Sequence, residues 1–144
     1  MSEATLQAAL MDALSGVVRD GSILVNDYLT PQVASLDYAP WLIIETADDV
    51  SMTTGTSFTT PATEWGLYVG LLTYRGGQDE KPHLDAFQAL RQRVLEALAA
   101  AAPLVAIRGV EAAGGIAPYF KENGEPDPDS LFQRLSVLVV EYGV

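Results

Sequence analysis

The sequence lacks cysteine, contains a single histidine and is poor in basic residues. Without cysteine, the protein cannot form a disulfide framework, a thiolate metal site or a thiol nucleophile. Its eight basic residues face nineteen acidic ones, which gives a formal net charge of −11 at pH 7. Binding to nucleic-acid phosphates needs a basic surface, and so does adhesion to anionic lipid. The charge balance therefore argues against both.

Long apolar runs and targeting segments are missing as well. No apolar run approaches the roughly 20 residues of a membrane-spanning helix, and the run from Leu135 to Val140 has only the length of a strand. The first residues, Met-Ser-Glu-Ala-Thr-Leu, contain neither the basic nor the apolar region of a secretory signal. We therefore expect no membrane contact and a location inside a cell, or in a particle assembled in the host cytoplasm.

The length and composition predict one globular domain over residues 1–144. The chain has 144 residues, close to the commonest domain size, and 49% of them are hydrophobic. An acidic surface could serve solubility, attract a basic partner, or line a channel that must not hold DNA. Solubility is the simplest of these three interpretations.

Two helices are predicted from the spacing of apolar residues. Ser2 can cap the first helix and Gly16 can follow its last turn, with Gln7 and Asp12 on the polar face. Its apolar stripe consists of Leu6, Leu10, Leu14 and Val17. The second helix is predicted over residues 83–102, between two prolines. Its buried stripe is predicted to contain Leu84, Phe87, Leu90, Val94, Leu95 and Leu98, while Arg91 and Arg93 lie outside it.

Alternating and continuous apolar patterns predict four strands. They lie around residues 41–46, 63–74, 104–112 and 131–142. Residues 20–38 predict an irregular connection, in which Ile23, Leu24 and Val25 could form one short strand. The order helix, strand, strand, helix, strand, strand favours an α+β fold. We expect a four-stranded, mostly antiparallel sheet with two main helices packed against it, the second through Phe87, Val94 and Leu98.

Residues 47–62 predict a long hairpin arm. This segment is polar, rich in threonine and longer than most loops of compact domains. Loops of such length are usually functional or mobile. A segment with so little apolar mass cannot offset its ordering entropy alone, so we expect a neighbouring molecule to order it. Phe58 is the expected anchor. The candidate contact residues on the arm are Met52, Thr54, Thr56, Phe58 and Thr60.

A search for catalytic and ligand-binding patterns finds none that is specific. His83 follows Pro82 at a predicted helix start, where a solvated side chain is the simplest expectation, and no Gly-x-Ser-x-Gly motif accompanies it. The pair Asp48-Asp49 is interpreted as a solvated turn. The acidic loop 122–129 could hold calcium, although it lacks the EF-hand spacing. No phosphate-binding loop or dinucleotide fingerprint is present, so we expect no enzyme, no cofactor and no metal.

Glycine and tyrosine alternate on one face of the strand at 63–74. Gly66, Tyr68, Gly70 and Tyr74 share that face. Such a face could be a platform for base stacking, but the chain has few basic residues to accompany it. We therefore interpret the glycines as positions against which a helix lies closely.

The order of these segments and their amino-acid sequences resemble those of the tail terminator, or tail completion, proteins of long-tailed bacteriophages. Three stretches carry the resemblance: the opening Leu-Gln-Ala-Ala-Leu-Met-Asp-Ala-Leu helix, the strand Ala-Pro-Trp-Leu-Ile-Ile-Glu-Thr with the polar arm after it, and the strand Glu-Trp-Gly-Leu-Tyr-Val-Gly-Leu-Leu-Thr-Tyr. The Ala-Phe-Gln-Ala-Leu-Arg-Gln-Arg-Val-Leu-Glu-Ala-Leu helix and the closing Phe-Gln-Arg-Leu-Ser-Val-Leu-Val-Val-Glu-Tyr strand extend it over most of the chain.

The resemblance implies a structural protein of the virion tail or neck. It implies a homo-oligomeric ring, hexameric in the family, that caps the tail tube, ends tube growth and docks to the head connector. DNA would pass through the lumen without specific binding. Arg91 and Arg93 are then expected to meet acidic residues of an adjacent subunit. The alternatives are another head–tail neck protein, or a small-ligand or partner-binding α+β domain from outside phages.

Overall fold

A computed structural model describes six stretches of the chain, which are residues 3–19, 21–25, 40–46, 62–105, 107–120 and 123–142. Two helices and five strands lie in these stretches. In chain order they are α1 (Glu3–Leu14), β1 (Ile23–Val25), β2 (Trp41–Thr46), β3 (Ala62–Tyr74), α2 (Glu80–Val105), β4 (Ile107–Ala112) and β5 (Ser130–Tyr142). The α+β class is confirmed. The predicted arm at 47–62 and the pair Asp48-Asp49 lie outside the described residues, except for residue 62, which begins β3.

The sheet has five strands in the order β1-β2-β3-β5-β4, so the prediction of four strands was wrong. The additional strand is β1, which runs parallel to β2 and pairs Leu24 with Ile43. The other three pairs of neighbouring strands are antiparallel. Strand β1 is the short strand that Ile23, Leu24 and Val25 were expected to be able to form, but three residues carry too little periodicity to count it as part of the sheet. Its pairing with β2 is what makes it a strand.

Both helices pack on one face of the sheet, and the main core lies between these two layers. The buried side chains of α1 are Leu6, Leu10 and Leu14, as predicted, together with Gln7. Gln7 was expected on the polar face, but it lies three residues before Leu10 and therefore borders the same stripe. After α1, Gly16 has a φ of 98°, a left-handed conformation that glycine adopts without steric cost.

Helix α2 begins earlier and ends later than predicted. It starts at Glu80 and includes Pro82, whose missing N–H would be unpaired in a first turn in any case. It also continues two residues beyond Pro103. This proline removes one hydrogen bond of the last turn but does not end the helix at once. The strand predicted at 104–112 consequently begins at Ile107.

The buried stripe of α2 differs from the prediction at its first residue. His83 is buried, whereas Leu84 is 38% exposed. Counted from His83, the buried residues follow one another at intervals of four, three, four and four. This helical spacing places residue 83, and not residue 84, on the buried side of α2. Leu95, also predicted in this stripe, is only partly buried, whereas the predicted packing through Phe87, Val94 and Leu98 is confirmed. Its buried members are His83, Phe87, Leu90, Val94 and Leu98.

The other face of the sheet carries a second, aromatic cluster. Trp41, Leu72 and Tyr74 are buried there, and Tyr119 and Phe132 pack against them. A Cβ added to Gly70 would come within 2.8 Å of the Phe132 ring. The glycine therefore makes room for an aromatic side chain of the neighbouring strand β5. Neither of the two described helices lies against this face, so neither of them is the helix that was expected there.

Candidate interaction surfaces

The structure separates the two arginines that were predicted to share an interface. Arg91 donates a hydrogen bond to Oε1 of Gln133 on β5, over 2.9 Å. Arg93 donates to the carbonyl oxygen of Val17, which follows α1, over 3.1 Å. The two side chains thus extend from opposite flanks of α2. The other candidate contact residues, Met52, Thr54, Thr56, Phe58 and Thr60, lie outside the described residues.

Arg91 is the first member of a polar chain that reaches the loop after β4. The side-chain amide of Gln133 accepts from Arg91 and donates to the carbonyl oxygen of Gly114 over 2.9 Å. Gln133 is buried, so losing either partner would leave a buried polar group unpaired. These two hydrogen bonds fasten the loop after β4 to both α2 and β5.

Beyond Gly114, the chain doubles back on itself as the 117–132 hairpin. Ala117 and Phe132 exchange two backbone hydrogen bonds, of 2.9 and 2.7 Å. The backbone N–H of Asp127 donates to the carbonyl of Tyr119 over 2.7 Å, and the N–H of Tyr119 donates to the hydroxyl of Ser130 over 2.8 Å. The ring of Tyr119 also lies 5.0 Å from that of Phe132, centre to centre. These contacts fix the hairpin against the aromatic cluster.

Phe120 projects from this fixed hairpin with 59% of its surface exposed, more than any other large apolar residue that the structure describes. Three acidic residues lie in the described part of the hairpin, namely Glu125, Asp127 and Asp129. An exposed aromatic side chain on an ordered support is the usual form of an interface anchor, because little entropy is lost when it is buried. Sequence analysis missed Phe120: it chose Phe58 as the lone large apolar residue of a polar segment, whereas Phe120 directly follows Tyr119.

A shallow groove with both polar and apolar lining lies on β4 and β5, with a volume of about 230 Å³. Gly109 and Leu138 pair across the two strands, and so do Glu111 and Ser136. Leu138 is 38% exposed, and the space beside Gly109 is empty within 4 Å of where a Cβ would stand. The residues that line the groove are Gly109, Val110, Glu111, Ser136 and Leu138.

Arg134 lies on the face of the sheet that carries the aromatic cluster, called here the helix-free face because neither of the two described helices packs on it. It forms an ion pair of 3.3 Å with Glu45 on β2. Its guanidinium also lies 5.7 Å from the ring centres of both Tyr68 and Phe132. These distances fall within the range of cation–π interactions. The tyrosine face that could have suggested base stacking is therefore occupied by an arginine of the same chain.

Two buried donors of the helix-free face have no hydrogen-bond partner among the described residues. They are the indole Nε1 of Trp41 and the hydroxyl of Tyr74. Burial raises the pKa of the Tyr74 hydroxyl well above its usual value, and the charge of Asp127 acts in the same direction. The hydroxyl therefore remains a neutral donor.

His83, expected in solvent, is buried between α2 and the end of β3. One ring nitrogen, Nε2, lies 2.9 Å from the hydroxyl oxygen of Thr73. Burial lowers the pKa of the imidazole, Arg75 acts in the same direction, and the contact with Thr73 and the charge of Asp129 oppose it. A buried, hydrogen-bonded histidine of this kind is a neutral structural side chain, and no acid–base role follows from its position.

Metal and membrane sites were searched for in the described residues alone. Within them, no three histidine or acidic side chains come together as metal ligands would. None of the described helices is both long and apolar enough to cross a membrane. In the described part of the acidic loop 122–129, an acidic side chain instead binds the loop's own backbone. The carboxylate of Asp127 accepts a hydrogen bond from the N–H of Asp129 over 3.0 Å.

Comparison with protein-family models finds none that matches this chain, and comparison with curated proteins finds no match either.

Proposed function

We propose that this chain is a structural subunit of the tail of a long-tailed bacteriophage. Copies of the chain form a ring, hexameric as in the family it resembles, that caps the tail tube, ends its growth and offers a docking surface to the head connector. The proposal rests on the resemblance in sequence, whose order of elements agrees with the α+β fold. It also agrees with an acidic surface, which suits a lumen that DNA must cross without being held.

The observation that carries the assembly role is the position of the exposed apolar side chains. Phe120 and Leu138 lie on the hairpin and the β4–β5 groove, away from the core between helices and sheet. Phe120, exposed at 59% on an ordered hairpin, is the kind of aromatic side chain that anchors interfaces, whereas a single leucine with the exposure of Leu138 is common on protein surfaces. The buried His83, in contrast, is already paired within the chain.

Electron microscopy of the purified protein, alone and with the tube protein of the same phage, tests this proposal. We expect closed rings, and tubes that stay short when the protein is added during tube growth. A protein that remains a single copy and leaves tube length unchanged contradicts the proposal. Bovine albumin at the same concentration controls for nonspecific effects on tube growth.

Deletion of residues 51–59 tests the part assigned to the arm. We expect a folded domain that no longer closes a ring or caps a tube, because Phe58 would be lost as an anchor. The far-ultraviolet circular dichroism of the variant should match that of the parent. Assembly equal to the parent's would show that the arm has no role in it.

Charge reversal at Arg93 tests the second predicted contact. Arg93 is exposed and bonds only to a carbonyl oxygen in the described part of the chain, so Arg93→Glu should weaken assembly while leaving the fold intact. Arg91 is less suitable, because Arg91→Glu would also break the bond to buried Gln133. Unchanged assembly of Arg93→Glu at physiological salt would remove this arginine from the interface.

A second candidate function is supported by the two buried donors without partners. The donor atoms of Trp41 and Tyr74 are shielded from solvent, so a bound molecule would reach them only after the side chains around them move, as in a partner-binding domain from outside phages. Such a domain would stay monomeric in the experiments above.

A further inference from the structure

We propose that Asn123 is a site of spontaneous deamidation, which the fold leaves open and orients for reaction. Asn123 and Gly124 form the only Asn-Gly pair of the sequence, and both residues are exposed in the turn of the 117–132 hairpin. The reaction converts the side-chain amide to a carboxylate and needs no enzyme, since water is the only other reactant. The inference is independent of the proposed function, because it concerns the chain alone.

The two reacting groups belong to adjacent residues. Hydroxide removes the proton from the backbone nitrogen of Gly124, and this nitrogen attacks Cγ of Asn123. A bond forms between the nitrogen and Cγ, the bond from Cγ to Nδ2 breaks, and Nδ2 takes a proton from water and leaves as ammonia. Water then opens the cyclic imide at one of its two carbonyl carbons, which gives aspartate or isoaspartate. Because the attack is intramolecular, its entropic cost is low.

Gly124 leaves the attacking nitrogen accessible. Nothing lies within 4 Å of the position where a Cβ would stand at this residue. Its φ is 84°, a conformation in which a side chain would be strained and would stand next to the nitrogen. Because both residues are exposed, hydroxide and water also reach the reacting atoms.

A backbone donor is already bound to the oxygen that becomes charged in the reaction. Oδ1 of Asn123 accepts a hydrogen bond from the N–H of Glu125 over 3.0 Å. Asparagine often forms such a turn with the residue two positions ahead. When the nitrogen of Gly124 attacks, negative charge develops on this same Oδ1, and a donor in place stabilises it as in an oxyanion hole. The bond also keeps the side-chain carbonyl folded over the main chain at Gly124.

The modification changes the hairpin close to its exposed aromatic residue. Phe120 and Pro126 pair across the turn that contains Asn123. A carboxylate at this position adds to the three acidic residues in the described part of the hairpin. Isoaspartate also adds a carbon atom to the main chain of the turn. The surface around Phe120 therefore alters as the protein ages.

Peptide mapping by mass spectrometry, during incubation of the whole chain at about pH 8, tests the inference. We expect aspartate and isoaspartate to accumulate at position 123. Asn123→Asp provides the reference for the aspartate product, and Asn123→Gln, whose longer side chain must close a larger ring, should not react. The other asparagine of the sequence, Asn26, precedes Asp27 and not glycine. It should react at least about tenfold more slowly, the equivalent of about 1.4 kcal/mol in the barrier.

The same incubation in guanidinium chloride separates the effect of the fold from that of the dipeptide. We expect the folded chain to react at no less than about one third of the rate of the unfolded chain, a barrier difference of at most about 0.7 kcal/mol. Circular dichroism shows which state is present. A slower reaction in the folded chain, an unchanged amide at position 123, aspartate without isoaspartate, or equal rates at Asn26 and Asn123 would each overturn the inference.

Discussion

The two faces of the sheet are built on different principles. The face under the helices is filled by aliphatic side chains and Phe87, and its polar groups at the border, such as His83 and Gln133, have partners within the chain. The helix-free face instead carries an aromatic cluster, an ion pair, and two buried donors without described partners. The first face forms the main core of the fold, whereas the second leaves two buried donors without a described partner.

One buried donor without a described partner lies on the side of the main core. Trp65 is partly buried against the main core, and its indole N–H also lacks a partner among the described residues. Unpaired donors are therefore not confined to one face. What distinguishes the helix-free face is that its two unpaired donors, Trp41 and Tyr74, lie in one cluster next to the hairpin that carries Phe120.

The largest loss of stability is expected when a buried side chain between the helices and the sheet is truncated. Phe87 is completely buried between α2 and the sheet, so Phe87→Ala should lower the free energy of unfolding by about 3–5 kcal/mol. Urea unfolding followed by circular dichroism measures this. Leu84→Ala, on the exposed side of the same helix, is the matched control and should cost less than about 1 kcal/mol. Equal losses for the two variants would contradict the packing of α2 described above.

An intermediate loss of stability is expected when a methyl group is added at the close contact between Gly70 and Phe132 on the helix-free face. Gly70→Ala places a methyl group 2.8 Å from the Phe132 ring, and the resulting shift should cost about 1–3 kcal/mol. Gly109→Ala, which meets nothing within 4 Å, is the control. The double variant Gly70→Ala, Phe132→Leu should recover part of the loss. If Gly70→Ala is as stable as the parent, the close contact with Phe132 is not rigid.

A smaller, pH-dependent effect is expected from His83. Its pKa is lowered in the folded protein, so the unfolded chain, with a usual value of about 6.5, takes up the proton first as the pH falls. The stability contributed by the neutral imidazole is therefore complete above about pH 6.5 and decreases below it.

His83→Gln keeps a hydrogen-bonding side chain but does not titrate in this range. The parent should lose more stability than this variant between pH 7 and pH 5, as measured by urea unfolding at both values. Acidic residues contribute equally to both proteins, so the difference isolates the histidine. Identical losses would mean that the imidazole is protonated as easily in the folded chain as in the unfolded one.

The smallest effect is expected from the ion pair on the helix-free face. The Arg134 side chain is 44% exposed, so solvent screening limits the contribution of its bond to Glu45. Arg134→Met keeps most of the aliphatic packing and should cost about 0–1 kcal/mol. The same measurement in 1 M NaCl should reduce the difference further. A loss above about 2 kcal/mol would place Arg134 among the determinants of the fold.

The sequence by itself determined the parts of this protein that depend on local periodicity. The stripe Phe87, Leu90, Val94 and Leu98 and the alternation along β3 and β5 follow from side-chain spacing, which is set by the geometry of a single helix or strand. The same reasoning gave the α+β class and the boundaries of β2.

Only the tertiary structure decided which residues meet across elements. It paired the three-residue β1 with β2, buried His83 against Thr73, and placed the Phe132 ring over Gly70. It also separated Arg91 from Arg93, although they stand two positions apart, because residues two apart on a helix point to different sides. These outcomes depend on strand register and on neighbours distant in sequence, and no periodicity within one segment contains that information.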